Sequence, residues 1–103
     1  MIYAILGDIH ANLEALQSVI SDAKQQGAQR FVCTGDIVGY NANPSECLAQ
    51  LNQLDCAFVK GNHDEYCSSR IPLQTFNPSV RDAPRWTRQR LPRAEKRSLH
   101  QAP

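Results

Sequence analysis

Apolar and polar positions along this chain fall into blocks that repeat one unit three times. Ile2 to Leu6 is apolar almost throughout and stops at Gly7-Asp8. Such a short run without alternation predicts a strand of a parallel sheet, buried on both faces. The next block, "NLEALQSVISDAKQQG", changes period. Leu13, Leu16, Val19, Ile20 and Ala23 fall on one helical face. Asn12 suits the N-cap and Gly27 the C′ position. The unit then recurs. "RFVCTGD" predicts a second strand ending at Gly35-Asp36. "NPSECLAQLNQL" predicts a second helix, with Asn43 as cap, Pro44 in the first helical position and Glu46 three residues past the cap. Leu48, Leu51 and Leu54 supply its apolar stripe. "CAFVKGN" predicts a third strand, ending at Gly61-Asn62.

The order is therefore β-α-β-α-β, with Gly7, Gly35 and Gly61 spaced 28 and 26 residues apart. This predicts a parallel sheet joined by right-handed crossovers. In such sheets the carboxyl ends of the strands share one edge, where ligands bind. Asp8, His10, Asp36, Asn62, His63 and Asp64 are thereby brought to one rim. Beyond them, residues 66–80, with Pro72 and Pro78, read as a connecting loop. The remainder reads as a basic helical segment interrupted by Pro84.

Composition sharpens this picture in three ways. A chain of 103 residues, 42% hydrophobic, makes one domain at most, able to bury roughly two thirds of its unfolded surface. The net charge of +1 hides an asymmetry. Residues 1–79 carry four basic residues against eight acidic ones, and residues 80–103 carry seven against two. Arginines around Trp86 suit either contact with a nucleic-acid backbone or the solvated face of an amphipathic helix; the second is the more frequent case and is the expectation here. The four cysteines, Cys33, Cys47, Cys56 and Cys67, form no CxxC pair or zinc spacing, and Cys33 and Cys56 sit in apolar runs as small hydrophobes. No signal-peptide pattern opens the chain, and no apolar run approaches ~18 residues. The expectation is a reduced, cytoplasmic protein with no membrane partner.

The rim residues suggest a chemistry. Oxygen donors from Asp8, Asp36 and Asn62, mixed with the nitrogen of His10, suit divalent metals of intermediate hardness such as manganese, iron or zinc. A carboxylate on the central strand, Asp36, suits bridging two ions ~3.5–4 Å apart, the spacing of two-metal hydrolytic sites. The glycine before each candidate ligand would let the backbone turn sharply and approach an ion. His63, one residue past Asn62, would reach toward a substrate.

"GDIH" (7–10), "GD" (35–36) and "GNHD" (61–64), each after an apolar strand, resemble the first three motifs of the calcineurin-like metallophosphoesterases. "GDIHAN", "GDIVGY" and the later Phe76-Asn77-Pro78 and Trp86-Thr87 resemble the small bacterial branch of that superfamily most closely. The resemblance implies metal-dependent hydrolysis of phosphate esters, diesters or monoesters, by a hydroxide activated between two divalent ions (Mn, Fe, Zn or Ni). It implies that Asp8 and His10 bind the first ion, that Asp36 bridges both, and that Asn62 binds the second. His63 would stabilise or protonate the leaving-group oxygen, and Asp64 would orient His63. Tyr40 would be a rim or core aromatic. The partner would be a small phosphate-ester substrate.

Two departures accompany the resemblance. Protein serine/threonine phosphatases of the superfamily carry an Asp-Arg pair shortly after the second motif, where this chain has Gly39-Tyr40, which argues against that activity. The superfamily also takes histidine ligands from later "GH" and "GHxH" motifs, and "SLHQAP", with His100, resembles neither. The implied fold is α/β: the N-terminal βαβαβ half of a metallophosphoesterase-type α/β/β/α sandwich, truncated. Residues 1–103 would form a partial domain, with 1–64 the motif-bearing layer and 65–103 a loop and basic helical segment. Such a half-sandwich should expose apolar strand surface and self-associate, and bind metal while turning over little substrate. The alternative is a non-catalytic βαβ nucleotide-binding or remnant module. Against it, neither GxGxxG nor GxxxxGK[ST] occurs.

Overall fold

The computed structural model describes residues 1–103. It contains β1 (Ile2–Leu6), α1 (Leu13–Gln25), β2 (Ala28–Cys33), α2 (Pro44–Gln53), β3 (Ala57–Phe58), α3 (Asn62–Ser68), α4 (Asp82–Arg90) and α5 (Arg93–Gln101). Two short 3₁₀ turns, Leu73–Thr75 and Pro78–Val80, lie between α3 and α4. The strands form one parallel sheet in the order β1-β2-β3, so β2 is central, as the sequence predicts. The expected third strand is shorter than its apolar run: only Ala57 and Phe58 pair.

Side chains alternate across a strand, and register then decides which face is the core. Ala4 lies opposite Phe31, Leu6 opposite Cys33, and Cys33 opposite Phe58. This face joins Leu16, Ile20, Leu48 and Leu51 of α1 and α2 in a core of 14 buried residues. Two right-handed crossovers that step the same way put both helices on one side of the sheet. The other face is open. Tyr3 and Ile5 are 59% and 71% exposed and Val59 is 46% exposed, so the expected apolar strand surface is present.

Local signals explain the helix ends. The Asn12 side chain accepts the Ala15 N–H at 3.1 Å, as an N-cap does, and Gly27 takes φ +89 where the chain leaves α1. Pro44 opens α2, but Asn43 does not cap it with its side chain. Its amide donates instead to Glu46 at 2.6 Å. Pro84 does not interrupt the basic segment, contrary to the sequence reading. It stands in the first turn of α4, where a backbone N–H has no intrahelical acceptor and its loss costs little. The break comes at Leu91-Pro92, between α4 and α5. All four cysteines are free and buried. Burial pushes the Cys47 thiol up to about 12 and those of Cys56 and Cys67 to about 11, so they pack as neutral side chains. No helix is long and apolar enough to cross a membrane.

The end of α5 is tied to the turn after β3. Lys60 Nζ donates to the His100 carbonyl at 2.8 Å and lies 2.6 Å from Glu65 Oε2. The hydrogen bond from Lys60 holds the Glu65 carboxyl below its ordinary value of 4.5. A lowered folded pKa stabilises above the unfolded value, and the gain disappears as pH falls through the folded value. Replacing Glu65→Gln should cost about 0.2–1 kcal/mol at neutral pH, the scale of a partly exposed pair. Urea titrations of both proteins should converge as pH is lowered below 4.5; a gap that persists there would assign the cost to packing.

Candidate metal centre

The rim is built from three loops, each leaving the carboxyl end of a strand. After β1, the backbone takes φ +51 at Asp8, +48 at His10 and +58 at Ala11, and after β2 it takes +57 at Asp36 and +69 at Tyr40. Five of the protein's six left-handed non-glycine residues are thus in these two loops. Asp and His tolerate this region better than most residues, whereas Ala and Tyr carry strain there. Hydrogen bonds between the loops offset it. The His10 N–H donates to the Asp36 carbonyl at 2.9 Å, and the Ala11 N–H to the Ile37 carbonyl at 2.8 Å.

Gly35 makes the sharp turn expected from sequence, with φ +108, and both Gly35 and Gly61 are needed for a close approach that the sequence does not record. A Cβ on Gly35 would lie 2.5 Å from the Gly61 nitrogen, and one on Gly61 would lie 2.6 Å from the Asp36 carboxyl carbon. The second and third loops therefore press backbone against backbone. That contact carries Asp36 and the start of α3 to the same point.

One donor atom each from Asp8, His10 and Asp36 lies within 4.8 Å of the others. Donors at ~2.1 Å on opposite sides of one ion are about 4 Å apart, so a small inward movement closes the set on a single ion. The His10 ring is already oriented for this. Its Nδ1 lies 3.2 Å from the Val38 carbonyl, which fixes Nδ1 as the N–H donor and leaves Nε2 as the lone-pair nitrogen. Nε2 in turn lies 3.9 Å from Asp8 Oδ1. Asp8 is 81% exposed at its side chain and His10 19%, so the cluster opens to solvent on the Asp8 side. The mixed oxygen and nitrogen set fits a divalent ion of intermediate hardness.

The third motif does more than end a strand. Asn62, exposed, is the first residue of α3, and His63 follows it. The His63 N–H donates to Asp36 Oδ1 at 3.0 Å, which ties the start of the helix to the candidate ligand. The His63 ring stands 4.9 Å from His10 and 4.6 Å from Tyr40, centroid to centroid, with Tyr66 behind it at 5.7 Å. It packs on Gly39, where an added Cβ would lie 3.3 Å from the histidine and the backbone φ of +98 favours glycine. Tyr40, 61% exposed, is a rim aromatic over both histidines. The sequence reading did not find Tyr66 or the Val38 carbonyl; "GDIVGY" and "GNHDEY" contain them, but no spacing rule marks them.

Asp64 occupies a different place from the one expected. Its carboxylate does not meet the His63 ring. Oδ2 accepts from the N–H of Asp36 (2.8 Å) and Gly61 (2.9 Å), and Oδ1 from those of Ile37 (2.9 Å) and Val38 (3.0 Å). The residue is fully buried. Burial pushes its carboxyl above the usual range, while the four N–H groups pull it back. As the third residue of α3, it also closes back on the N–H that precedes the helix, one half of a capping box. The side chain thus fastens the second loop to the third from beneath.

Comparison with known proteins adds to this geometry. A family model described as calcineurin-like phosphoesterase matches residues 1–97. An uncharacterized protein of Methanocaldococcus jannaschii is 45% identical over 85 residues, covering 82% of this chain and 35% of that protein. The crystal structure of a metallophosphoesterase from Sphaerobacter thermophilus superposes with a TM-score of 0.80 at 39% identity, covering 98% of this chain and 41% of that one. This chain therefore spans between 35% and 41% of the length of these two relatives.

Proposed function

This chain belongs to the calcineurin-like phosphoesterase family, and from that premise we propose that it supplies the first metal site and the leaving-group histidine for phosphate-ester hydrolysis. The observation that carries the reading is the meeting of Asp8, His10 and Asp36 at one rim with the His63 ring alongside. Asp8, His10 and Asp36 would hold a divalent ion, and Asp36 with Asn62 would hold a second. Ions bound there lower the pKa of water and neutralise charge developing on the phosphoryl oxygens. The chain's own residues do the rest. His10 is held in the metal-binding tautomer by Val38. Asp64 fixes the loop that presents Asp36. His63, packed between Tyr40 and Tyr66, offers a proton or a positive charge to the departing oxygen. Manganese is one ion of suitable hardness; iron, zinc and nickel are others.

A chimera tests this, with the chain replacing the matching 41% of the Sphaerobacter thermophilus protein. With manganese it should hydrolyse aryl phosphate monoesters or diesters. His63→Ala within it should slow turnover by roughly 10²-fold or more, the scale of a positioned acid or charge stabiliser, with bound metal unchanged. Loss of metal along with activity would make His63 a ligand and overturn its assigned role.

A further inference from the structure

Away from the metal centre, positive charge gathers on the basic segment. One face of α5 presents Arg93, Lys96, Arg97 and His100, spaced i, i+3, i+4 and i+7. This face meets Ser68, Ser69 and Arg70 from the end of α3, and together they enclose a groove of about 620 Å³. No apolar side chain and no carboxylate lines it. Like charges one turn apart on a helix repel, and no carboxylate pairs with Arg93, Lys96 or Arg97, although Glu65 lies 3.7 Å from His100. The protein's carboxylate pairs use His10, Lys60, Arg85 and His100, so Arg70, Arg93, Lys96 and Arg97 stand in no ion pair. The groove also holds a fixed charge. Arg88 is pinned by the carbonyls of Tyr66 (2.8 Å) and Ile71 (2.9 Å), which orient its guanidinium before any ligand arrives. The other sides of α5 are committed to packing, through buried Leu99 and through Glu95, which accepts from Ser45 at 2.7 Å.

We infer that this groove between the end of α3 and α5 is a second anion site, which binds a compact ligand bearing two or more phosphates, such as a condensed polyphosphate. Arg93 and His100 are about 10 Å apart along the helix, room for more than one phosphate. Single-stranded nucleic acid is held by stacking on successive aromatic side chains, and no Phe, Tyr or Trp lines the groove. Trp86 lies in a separate depression with Arg90 over its ring at 5.0 Å. The groove sits at the far end of α3 from His63, about 10 Å of helix away. It does not depend on the metal centre or on the phosphoesterase reading.

Calorimetric titration of tripolyphosphate into the chain, in EDTA and at physiological salt, tests the site. The expected result is saturable binding that Arg93→Gln with Arg97→Gln weakens at least tenfold. Arg85→Gln with Arg90→Gln, which removes the same charge from α4, should change it less than twofold, and Asp36→Asn should leave it as in the native chain. Should the groove double variant melt early, Lys96→Gln alone should still weaken binding severalfold. No saturable binding, equal losses in the two double variants, or dependence on Asp36 would overturn the inference. So would oligonucleotides that bind more tightly than tripolyphosphate and gain affinity with length, since these would make the face a nucleic-acid surface.

Discussion

Replacing Asp64→Ala should destabilise the chain by about 3–5 kcal/mol, the scale of removing one partner from a buried charged network. The side chain is fully buried, and its two oxygens take four backbone N–H groups. Truncation leaves those donors in a space too confined to solvate them all, and each unmet buried donor costs about 1–3 kcal/mol. A domain of this kind has about 5–15 kcal/mol in total, so much of its stability rests on one carboxylate. Asp64→Asn keeps the volume but turns an amide NH₂ toward N–H groups, and should also lose more than about 1.5 kcal/mol. Urea unfolding followed by circular dichroism measures both. A loss below ~0.5 kcal/mol in Asp64→Ala, the level of an ordinary surface change, would mean that the buried network does not hold the loops together.

The second large effect is at Asp36. Asp36→Asn keeps an oxygen to accept the His63 N–H, now at 3.0 Å, and so should preserve the start of α3. It removes the negative charge from the proposed metal donor set. Losing an outer-shell partner of a metal ligand commonly costs 10–100-fold in affinity, and losing a ligand charge should exceed about 100-fold. The thermal midpoint without metal should rise slightly or stay level, because Asp8 and Asp36 no longer repel one another. Manganese titration by calorimetry, paired with a thermal melt, separates the two consequences. Affinity retained within threefold would remove Asp36 from the ligand set.

The parts of this fold legible in the sequence are those governed by local rules. Asn12, Pro44 and Gly27 mark helix ends because capping chemistry acts over three or four residues. Parallel pairing follows from the alternation of three strands and two helices, and the observed order β1-β2-β3 then puts both helices on one side of the sheet. Convergence of Asp8, His10 and Asp36 follows in turn, because each stands just past the carboxyl end of a parallel strand. What escaped the reading depends on partners distant in the chain. Asp64 lies 28 residues from Asp36 and 26 from Val38, and nothing in "GNHD" says that its carboxylate turns away from His63 into the neighbouring loop. The hydrogen bond from His10 to Val38 also spans 28 residues and ends on a carbonyl, which every residue carries. The turn at Gly35 is legible and present, with φ +108, but the contact of its loop with Gly61 is tertiary and is not legible. β3 is short because its ladder stops opposite Cys33, the last residue of β2; an apolar run does not record where its partner stops. Pro84 misled because a proline breaks a helix only beyond the first turn.

On the proposed function, the divalent metal site of this chain lies at the rim formed by Asp8, His10 and Asp36. Manganese is paramagnetic, and nearby amide signals broaden when it binds. Substoichiometric manganese added to the ¹⁵N-labelled chain should broaden residues 7–10, 35–40 and 61–63 first, and leave Asp36→Asn unaffected at the same concentration. Broadening centred instead on the exposed face of α1 around Glu14 and Asp22, or spread evenly over the surface, would contradict this placement.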